Sequence, residues 1–431
     1  MEWLASPTFR TVLLGATLLG AVSGVIGCFA LLRRQSLLGD ALAHAALPGV
    51  CVAFIVTGAK HPLSLLVGAG AAGLCGALFV MLVVRGSRIK EDSALGIVLS
   101  VFFGLGVVLL TRIQKMPAGN QSGLDQFLFG QAATLLEGDV IVFSVVGVAV
   151  LVVIALLYKE LKLLCFDRAF GAILGFPMRG LEVLLTVLLV VVVVIGLSTV
   201  GVVLMVASLI TPAAAARQWT DRLSRMLLLS ALFGAISAAV GVVASASVSK
   251  LPTGPSIVIV SSALLLVSVL AAPRRGVLWA ALRARRTAHR VRAENLLKDV
   301  YRWCERRGDF ETFVPLTIVM GMRGEPGRRL YRTRDRLVRR GLLLVDGDQL
   351  KLTRQGRREA ARMVRRHRLW EVYLVRRLEL PADHVHRDAE AMEHALTDEL
   401  VEELGALLGH PEVDPHGQPI PPREPLTEPT K

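Results

Sequence analysis

Long apolar stretches fill the first 272 residues of this 431-residue chain, and they limit the fold more than any other feature. A helix needs roughly 20 apolar residues to cross the hydrocarbon core of a bilayer. The segments that meet this length are 11–32, 41–58, 62–84, 93–112, 138–158, 180–196, 198–216, 226–247 and 254–272. Only GLSTVG separates the pair between 180 and 216. The sequence therefore predicts an α-helical polytopic membrane bundle of about eight or nine transmembrane helices.

The character of the sequence changes after Pro273. Hydrophobic residues make up 53% of the chain, but most of its 49 Lys and Arg residues lie beyond this point. A membrane part followed by a soluble part of ordinary domain size is expected. The predicted organisation is a membrane domain over 1–275, a basic helical linker over 276–293, a winged-helix-like domain over 294–356, a helical domain over 357–422 and a flexible tail over 423–431.

Basic residues cluster at every second boundary between the apolar segments. The clusters are Arg33/Arg34, Arg85/Arg88/Lys90, Lys159/Lys162/Arg168, Arg217/Arg222/Arg225 and Arg274/Arg275. Because cytoplasmic loops are enriched in Lys and Arg, this pattern predicts an external N-terminus and a cytoplasmic C-terminal part. The first apolar segment lacks the basic flank and cleavage site of a signal peptide, so we expect a retained helix.

Small residues at close spacing, as in VGAGAAGLCGAL, indicate how the helices pack. Such residues let helix backbones approach closely in lipid, where no hydrophobic force drives association. A compact bundle is therefore favoured over a single anchor. Polar residues buried in a bundle of this kind would mark a pathway.

Several function classes are disfavoured. The chain contains no GxxxxGK[ST] motif, so we expect no bound nucleotide and no ATP hydrolysis by this chain. Its five cysteines show no CxxC spacing, which argues against a zinc ribbon or a disulfide framework. The net charge of +14 is weak evidence for nucleic-acid binding, because much positive charge in membrane proteins is topological.

An Asp and a His interrupt the second apolar segment, in GDALAHAALPG. Asp40 and His44 are four residues apart and share one helix face. Ionisable groups in a membrane segment face a cavity or a partner, and this pair offers oxygen and nitrogen ligands for a divalent transition metal. The alternative is a hydrogen-bonded pair at a helix end. Glu91 is a weaker candidate for the same path, because a helix N-terminus also explains an acidic residue there.

The soluble part begins with a recognisable order of elements. ENLLKDVYRWCERRG has apolar residues at helical spacing, and GRRLYRTRDRLVRRGLL is a basic helix. LLLVDGDQLKLT predicts two short strands around a turn at Asp346-Gly347. This order is typical of a winged helix, which would contact either DNA phosphates or protein.

Histidine and carboxylate residues are grouped near the C-terminus. Glu390, Glu393 and His394 fall on one helix face, and His367 lies one turn from Glu371, with His386 further along. Imidazole and carboxylate suit Mn, Fe, Zn or Co. The alternative is an exposed charged helix.

Six segments in order resemble the permease subunits of zinc, manganese and iron ABC importers. They are RRQSLLGDALAHAALPGV, EDSALGIVLS, FLFG, FDRAFGAILGFP, VGVVLMVASLITPAAAA and LPTGPSIVIV, and the resemblance covers about residues 8–272. It implies a homodimeric permease in the bacterial cytoplasmic membrane, with two cytoplasmic ATPases and an extracytoplasmic metal-binding protein as partners. It also implies that Asp40 and His44 belong to the metal path. The 166–177 loop would dock on the ATPase through Asp167, Phe170, Gly171 and Gly175.

Residues 292–422 resemble the diphtheria-toxin-repressor family of metal-dependent regulators, through RHRLWE, VHRDAEAMEH and HGQPIPP. The resemblance implies a primary metal site and a second site that includes Glu371 and His386. The primary-site positions are His367, Glu390, Glu393 and His394. The first helix would add ligands, and there the chain has Asn295 and Lys298; a charged Lys cannot ligate, so this site is weakened or altered. The segment MGMRGEPGRRLYRTRDRL departs from the family pattern, so DNA is a doubtful partner.

Three functions remain open from the sequence. The first is an importer permease for Mn, Zn or Fe whose cytoplasmic part senses the same class of metal as an effector. The second is a membrane-tethered, metal-dependent transcription regulator. In the third, the cytoplasmic part only supports dimerisation or ATPase docking. The basic linker could transmit motion or lie on anionic lipid.

Overall fold

A computed structural model describes residues 6–58, 62–115, 137–248, 251–323, 327–381, 385, 389–390, 392–394 and 396–422. The chain divides into two compact units, Met1–Ala280 and Ala281–Lys431. We call the first the membrane unit and the second the tail. The FLFG segment at 127–130, His386 and the predicted flexible end at 423–431 lie outside the described residues.

In the described part of the membrane unit, eight helices are long and apolar enough to cross a bilayer, which confirms the predicted membrane bundle. They are α1 (Pro7–Leu32), α2 (Leu38–Thr57), α3 (Pro62–Gly86), α4 (Glu91–Gln114), α5 (Glu137–Leu156), α8 (Met178–Val200), α10 (Leu223–Ser247) and α11 (Thr253–Ala271). Two short helices, α6 (Tyr158–Phe166) and α7 (Arg168–Ile173), lie between α5 and α8.

The remaining helix of this unit, α9 (Val202–Trp219), has 18 residues and is not among those eight. It corresponds to the predicted segment 198–216. A single residue, Gly201, separates it from α8, with φ of 81°. Residues with a Cβ rarely adopt this left-handed conformation, so a glycine suits the break between the two helices. Met205 packs directly against Gly196, nine residues earlier, which shows that the chain bends sharply between α8 and α9.

Glycines bring two pairs of helices into backbone contact. A Cβ on Gly20 of α1 would lie 2.5 Å from the carbonyl oxygen of Gly234 in α10. Gly49 of α2 and Gly68 of α3 meet in the same way. Ser230 reinforces the first pair by donating a hydrogen bond of 2.7 Å to the carbonyl of Gly24. The small residues noted in the sequence therefore form helix interfaces, as membrane packing requires.

The tail combines helices with a small antiparallel sheet. Its elements are α12 (Val277–Arg307, which begins in the membrane unit), β1 (Val314–Pro315), α13 (Leu316–Arg323), α14 (Gly327–Arg339), β2 (Leu343–Asp346), β3 (Gln349–Leu352), α15 (Arg354–Leu378) and α16 (Asp398–Leu407). The strand order is β1-β3-β2, and Leu343 of β2 pairs with Leu352 of β3. The predicted hairpin is confirmed, with Gly347 at φ 58° in its turn.

Two apolar cores stabilise the tail, and α15 contributes to both. The first core joins the second half of α12 to α14, the sheet and the start of α15, through residues such as Leu296, Val300 and Leu350. The second core packs the later part of α15 against α16, through residues such as Val372 and Leu404. The histidines and carboxylates of the tail lie next to these cores, which fix their positions.

Candidate metal sites and docking segment

Asp40 and His44 lie in the first two turns of α2. His44 Nε2 is 3.4 Å from Asp40 Oδ1, and their side chains are 21% and 31% exposed, respectively. The His44 ring meets the edge of Phe103 from α4, with centroids 4.8 Å apart. Its other nitrogen, Nδ1, is buried and has no hydrogen-bond partner among the described residues. The pair is therefore held in place without being fully satisfied.

Pro48 makes a backbone oxygen of α2, the carbonyl of His44, a further candidate ligand. A proline has no backbone N–H, so it cannot donate the helix hydrogen bond to the residue four positions earlier. That residue is His44, and Pro48 lies inside the helix. The carbonyl of His44 therefore lacks its regular helical donor. A carbonyl, an imidazole and a carboxylate within two turns are suitable ligands for a passing divalent cation.

Glu91 begins α4 and is held elsewhere. Its Oε1 accepts a hydrogen bond of 2.5 Å from Gln35 Nε2. Within the described ranges, no three-ligand cluster contains Asp40, His44 or Glu91. Glu91 thus stays a predicted path residue that the structure does not join to the pair.

The predicted docking segment folds as α7 with its flanking turns. Asp167 caps α7, because its Oδ1 accepts a hydrogen bond of 2.9 Å from the backbone N–H of Phe170. Gly171 packs against Met178, and Gly175 has φ of 84°, which favours glycine. Apolar side chains on this segment are exposed, namely Phe170 at 48%, Ile173 at 83% and Leu174 at 55%. Contiguous exposed apolar residues of this kind mark a contact surface.

One carboxylate ties this segment to the membrane helices. Glu182 of α8 forms ion pairs with Arg33 at 2.5 Å, Arg168 at 2.9 Å and Arg85 at 3.0 Å. The three arginines come from the end of α1, from α7 and from α3. We did not predict this junction, although a lone Glu in an apolar segment with basic clusters nearby was a usable signal.

The residues predicted for the primary metal site of the tail lie near one another, but among the described residues they do not form a three-ligand metal group, and Lys298 lies between them. His367 Nδ1 is 2.6 Å from Glu393 Oε2. Lys298 of α12 is fully buried, makes an ion pair with Glu393 Oε1 and lies 3.8 Å from Glu390 Oε1. His394 Nδ1 pairs with Glu294 Oε2 at 2.6 Å. Glu393 and Glu294 therefore already contact nitrogen atoms of the protein.

The titration of these groups reflects their mutual contacts. Burial alone would raise the pKa of Glu393, but the hydrogen bond from His367 and the charge of Lys298 outweigh it and lower the pKa. Burial lowers the pKa of Lys298, and Glu393 offsets part of this effect. Burial also opposes charge on His367, yet hydrogen bonds to Glu371 and Glu393 raise the pKa of that imidazole.

A divalent metal does not fit the cluster around Lys298. An ammonium group cannot act as a ligand. At about 4 Å it would repel a dication by roughly 8 kcal/mol, if the effective dielectric constant is near 20. Asn295, the other predicted contribution from α12, has a buried Oδ1 without a hydrogen-bond partner in the described part of the chain.

A second group of ligands lies at the other nitrogen of His367. His367 Nε2 is 3.0 Å from Glu371 Oε1. Glu371, Asp414 and His416 place their ligand atoms within 4.8 Å of one another. Glu371 and Asp414 are buried, whereas His416 is exposed. This mixture of two oxygens and one nitrogen fits a transition metal that enters from the solvent side.

The turn that carries Asp414 and His416 is shaped by the Asp itself. Asp414 Oδ1 accepts hydrogen bonds of 2.8 Å from the backbone N–H groups of His416 and Gln418. Asp414 Oδ2 lies 3.4 Å from Arg368 Nε, and Arg368 is neutralised by Glu305 at 2.6 Å. Sequence reasoning named Glu371 but missed Asp414 and His416, although both stand in the DPHGQPIPP segment.

Residues 5–272 match the family model described as the ABC 3 transport family, and this range is more than half of the chain. The chain belongs to the ABC 3 transport family. It is therefore a multi-pass permease subunit of an ABC transporter and not an enzyme. A permease of this kind works with separate ATPase and binding-protein partners.

A second family model covers part of the permease's tail. Residues 353–422 match the metal-binding and dimerisation domain of iron-dependent repressors. The chain thus joins an ABC 3 permease to a repressor-like metal-binding domain, as the two sequence resemblances predicted. The match begins at α15, so it contains the histidine and carboxylate clusters but excludes Lys298.

Relatives and a solved structure agree with this assignment. A manganese transport system membrane protein of Bacillus subtilis is 42% identical over 377 residues, which cover 88% of this chain and 86% of the relative. A zinc transport system membrane protein of Treponema pallidum is 47% identical over 288 residues, or 67% of this chain and 97% of the relative. The PsaBC structure from Streptococcus pneumoniae, in complex with Fab, has 34% identity and a TM-score of 0.57, covering 64% of this chain and 96% of that one.

Proposed function

We propose that this permease imports Mn²⁺ or Zn²⁺ and that its tail regulates import by binding the same class of ion. The observation that carries the proposal is the Asp40–His44 pair on α2, where Pro48 also removes the regular helical donor of the His44 carbonyl. The metals handled by the Bacillus subtilis and Treponema pallidum relatives support it. We place the N-terminus outside and the tail in the cytoplasm, because the basic clusters alternate along the chain.

The membrane pair would act as a relay and not as a storage site. Its groups are partly exposed and 3.4 Å apart, and no cation of the protein pairs with Asp40 in the described residues. Such a weakly satisfied pair can take an ion and release it, which conduction requires. We keep Glu91 as a further residue of the path, on the neighbouring helix α4.

Uptake by a reconstituted complex tests this path. The permease, its ATPase and its binding protein would be placed in liposomes, and Mn²⁺ uptake would be measured with ATP inside. Asp40→Ala and His44→Ala should each lower uptake at least about tenfold, a loss typical of a damaged metal site. Asp92→Ala is the matched control, since Asp92 is an exposed carboxylate at a helix start. Normal uptake by both variants at equal expression would refute the path.

We further propose that α7 and its flanking turns dock on the ATPase. The exposed side chains of Phe170, Ile173 and Leu174 would be covered by the partner, and Glu182 would carry its movement to α8 through Arg168. Ile173→Glu should remove most metal-stimulated ATP hydrolysis. Leu344→Glu changes an equally apolar, exposed residue of the tail and should not. A fully coupled Ile173→Glu complex would show that the ATPase docks elsewhere.

For the tail, we propose that Glu371, Asp414 and His416 hold the effector metal. The ion would link α15 to the 413–419 turn, and its binding would depend on neutral His416 and ionised carboxylates. The order β1, α13, α14, β2 and β3 supports a winged helix. We propose that it contacts protein and not DNA, because the segment MGMRGEPGRRLYRTRDRL departs from the pattern of the repressor family at the helix that would read DNA.

A further inference from the structure

Lys298 is a buried charge of an unusual kind. Its side chain is 0% exposed, and it is one of the largest fully buried side chains of the protein. Lysine is almost never fully buried unless it is paired. The surroundings of this ammonium group therefore show what the site has been built to hold.

Carboxylates from a different part of the chain surround the ammonium. Glu393 Oε1 contacts it directly, and Glu390 Oε1 lies 3.8 Å away. The second oxygen of Glu393 is used by His367 at 2.6 Å. Lys298 therefore contacts one oxygen of the central carboxylate and His367 contacts the other, so a metal ion would have to compete with a buried ammonium for Glu393.

We propose that the Lys298 ammonium is the permanent cation of the Glu390/Glu393/His394 cluster and excludes transition metal from it. This inference rests on the proposed role of the tail as a metal sensor, which it sharpens. Within the described part of the tail, metal then binds at Glu371, Asp414 and His416 and not at this cluster. The regulatory signal of this protein comes from one ion and not two.

The lysine also makes a mechanical connection permanent. Lys298 and Glu294 both belong to α12, and their partners Glu393 and His394 belong to the turn before α16. A metal bridge at this place would form and break with the cytoplasmic metal concentration. An ion pair between buried side chains persists at any metal concentration, so the tail keeps α12 attached to this turn at all times.

Metal counting on the full chain tests the proposal. The purified chain would carry Asp40→Ala and His44→Ala to remove path binding, and Mn²⁺ would be counted by equilibrium dialysis. We expect one ion per chain, lost in Asp414→Ala/His416→Ala. Glu390→Gln and His394→Gln should change its affinity by less than about twofold, because neither residue would be a ligand.

Substitution of the lysine supplies the opposite result. Lys298→Glu should create a second Mn²⁺ site, which Glu390→Gln then weakens at least tenfold. Lys298→Arg is the matched control and should add no site, because it keeps the positive charge. A folded Lys298→Glu chain without a second ion would overturn the proposal.

Variants that keep Lys298 test the proposal even if the lysine variants do not fold. A tenfold loss of affinity in Glu390→Gln or His394→Gln would show that metal uses the cluster despite Lys298, and the proposal would be wrong. Failure of the sensor role has a different signature. In that case the parent binds no Mn²⁺ at all, while Lys298→Glu still gains a site.

Discussion

The membrane unit and the tail both place a carboxylate one helical turn from a histidine, yet they leave these groups in opposite states. In the membrane unit, Asp40 and His44 are 3.4 Å apart and partly exposed, and His44 Nδ1 has no hydrogen-bond partner among the described residues. In the tail, His367 is 2% exposed and faces a carboxylate at each ring nitrogen. Residue type and spacing are alike, so the surroundings decide which of the two histidines can accept an ion.

The difference comes from counter-charge and burial. Lys298 neutralises Glu393 inside the tail, where no water competes for the carboxylate. No Lys or Arg pairs with Asp40 in the described part of the membrane unit. A metal ion can therefore replace water at Asp40, whereas at Glu393 it would have to displace a buried ammonium.

The largest effect is expected when the carboxylate of Glu393, the partner of the buried Lys298, is removed. Glu393→Gln leaves Lys298 buried without its main counter-charge, which should destabilise the tail by about 3–5 kcal/mol. Glu390→Gln is the control, since Glu390 is 45% exposed and 3.8 Å away, and should cost less than about 1 kcal/mol. Urea unfolding of the tail, followed by protease susceptibility, measures both. Equal losses of unfolding free energy in the two variants would mean that the buried Lys298–Glu393 pair stabilises the tail no more than Glu390 does.

A smaller effect, on metal uptake, should follow when a positive charge is placed beside Asp40 and His44. Phe103→Lys brings an ammonium group towards His44, whose ring now packs on Phe103 with centroids 4.8 Å apart. The added charge should repel the transported ion and lower uptake about tenfold. Phe103→Met keeps an apolar contact and should stay within about twofold of the parent. If the Lys variant transports normally, counter-charge does not distinguish the two sites.

The smallest effect is a pH dependence of tail stability. The folded-state pKa of His367 is raised by its two carboxylate partners, so its stabilising contribution is complete below its ordinary pKa of about 6.5. This contribution is lost as the pH rises through the raised value. The pKa of Glu393 is lowered, so its contribution is lost in acid instead. The urea midpoint of the tail in metal-free buffer should therefore fall both in acid and at alkaline pH. His367→Gln should abolish the alkaline fall. A parent midpoint unchanged at alkaline pH would contradict the assignment.

The sequence by itself determined the features that depend on neighbours along the chain. Apolar segment length predicted the membrane bundle, which the eight long apolar helices among the described residues confirm. Small-residue spacing predicted close helix contacts, now seen at Gly20 and Gly234. The Asp346-Gly347 turn and the Asp40–His44 pair are also local, because a turn or a single helix face fixes their geometry.

Only the tertiary structure decided which charges meet. Lys298 and Glu393 are 95 positions apart, and Arg33 and Glu182 are 149 apart. No periodicity connects residues so distant, and the packing of α12, α15 and the chain before α16 sets their contact. Lys298 was a visible departure from the family pattern, but whether its ammonium would point into the metal cluster or into solvent depended on the burial of α12. The same holds for Asp414 and His416, which join Glu371 because the chain returns to α15 after α16.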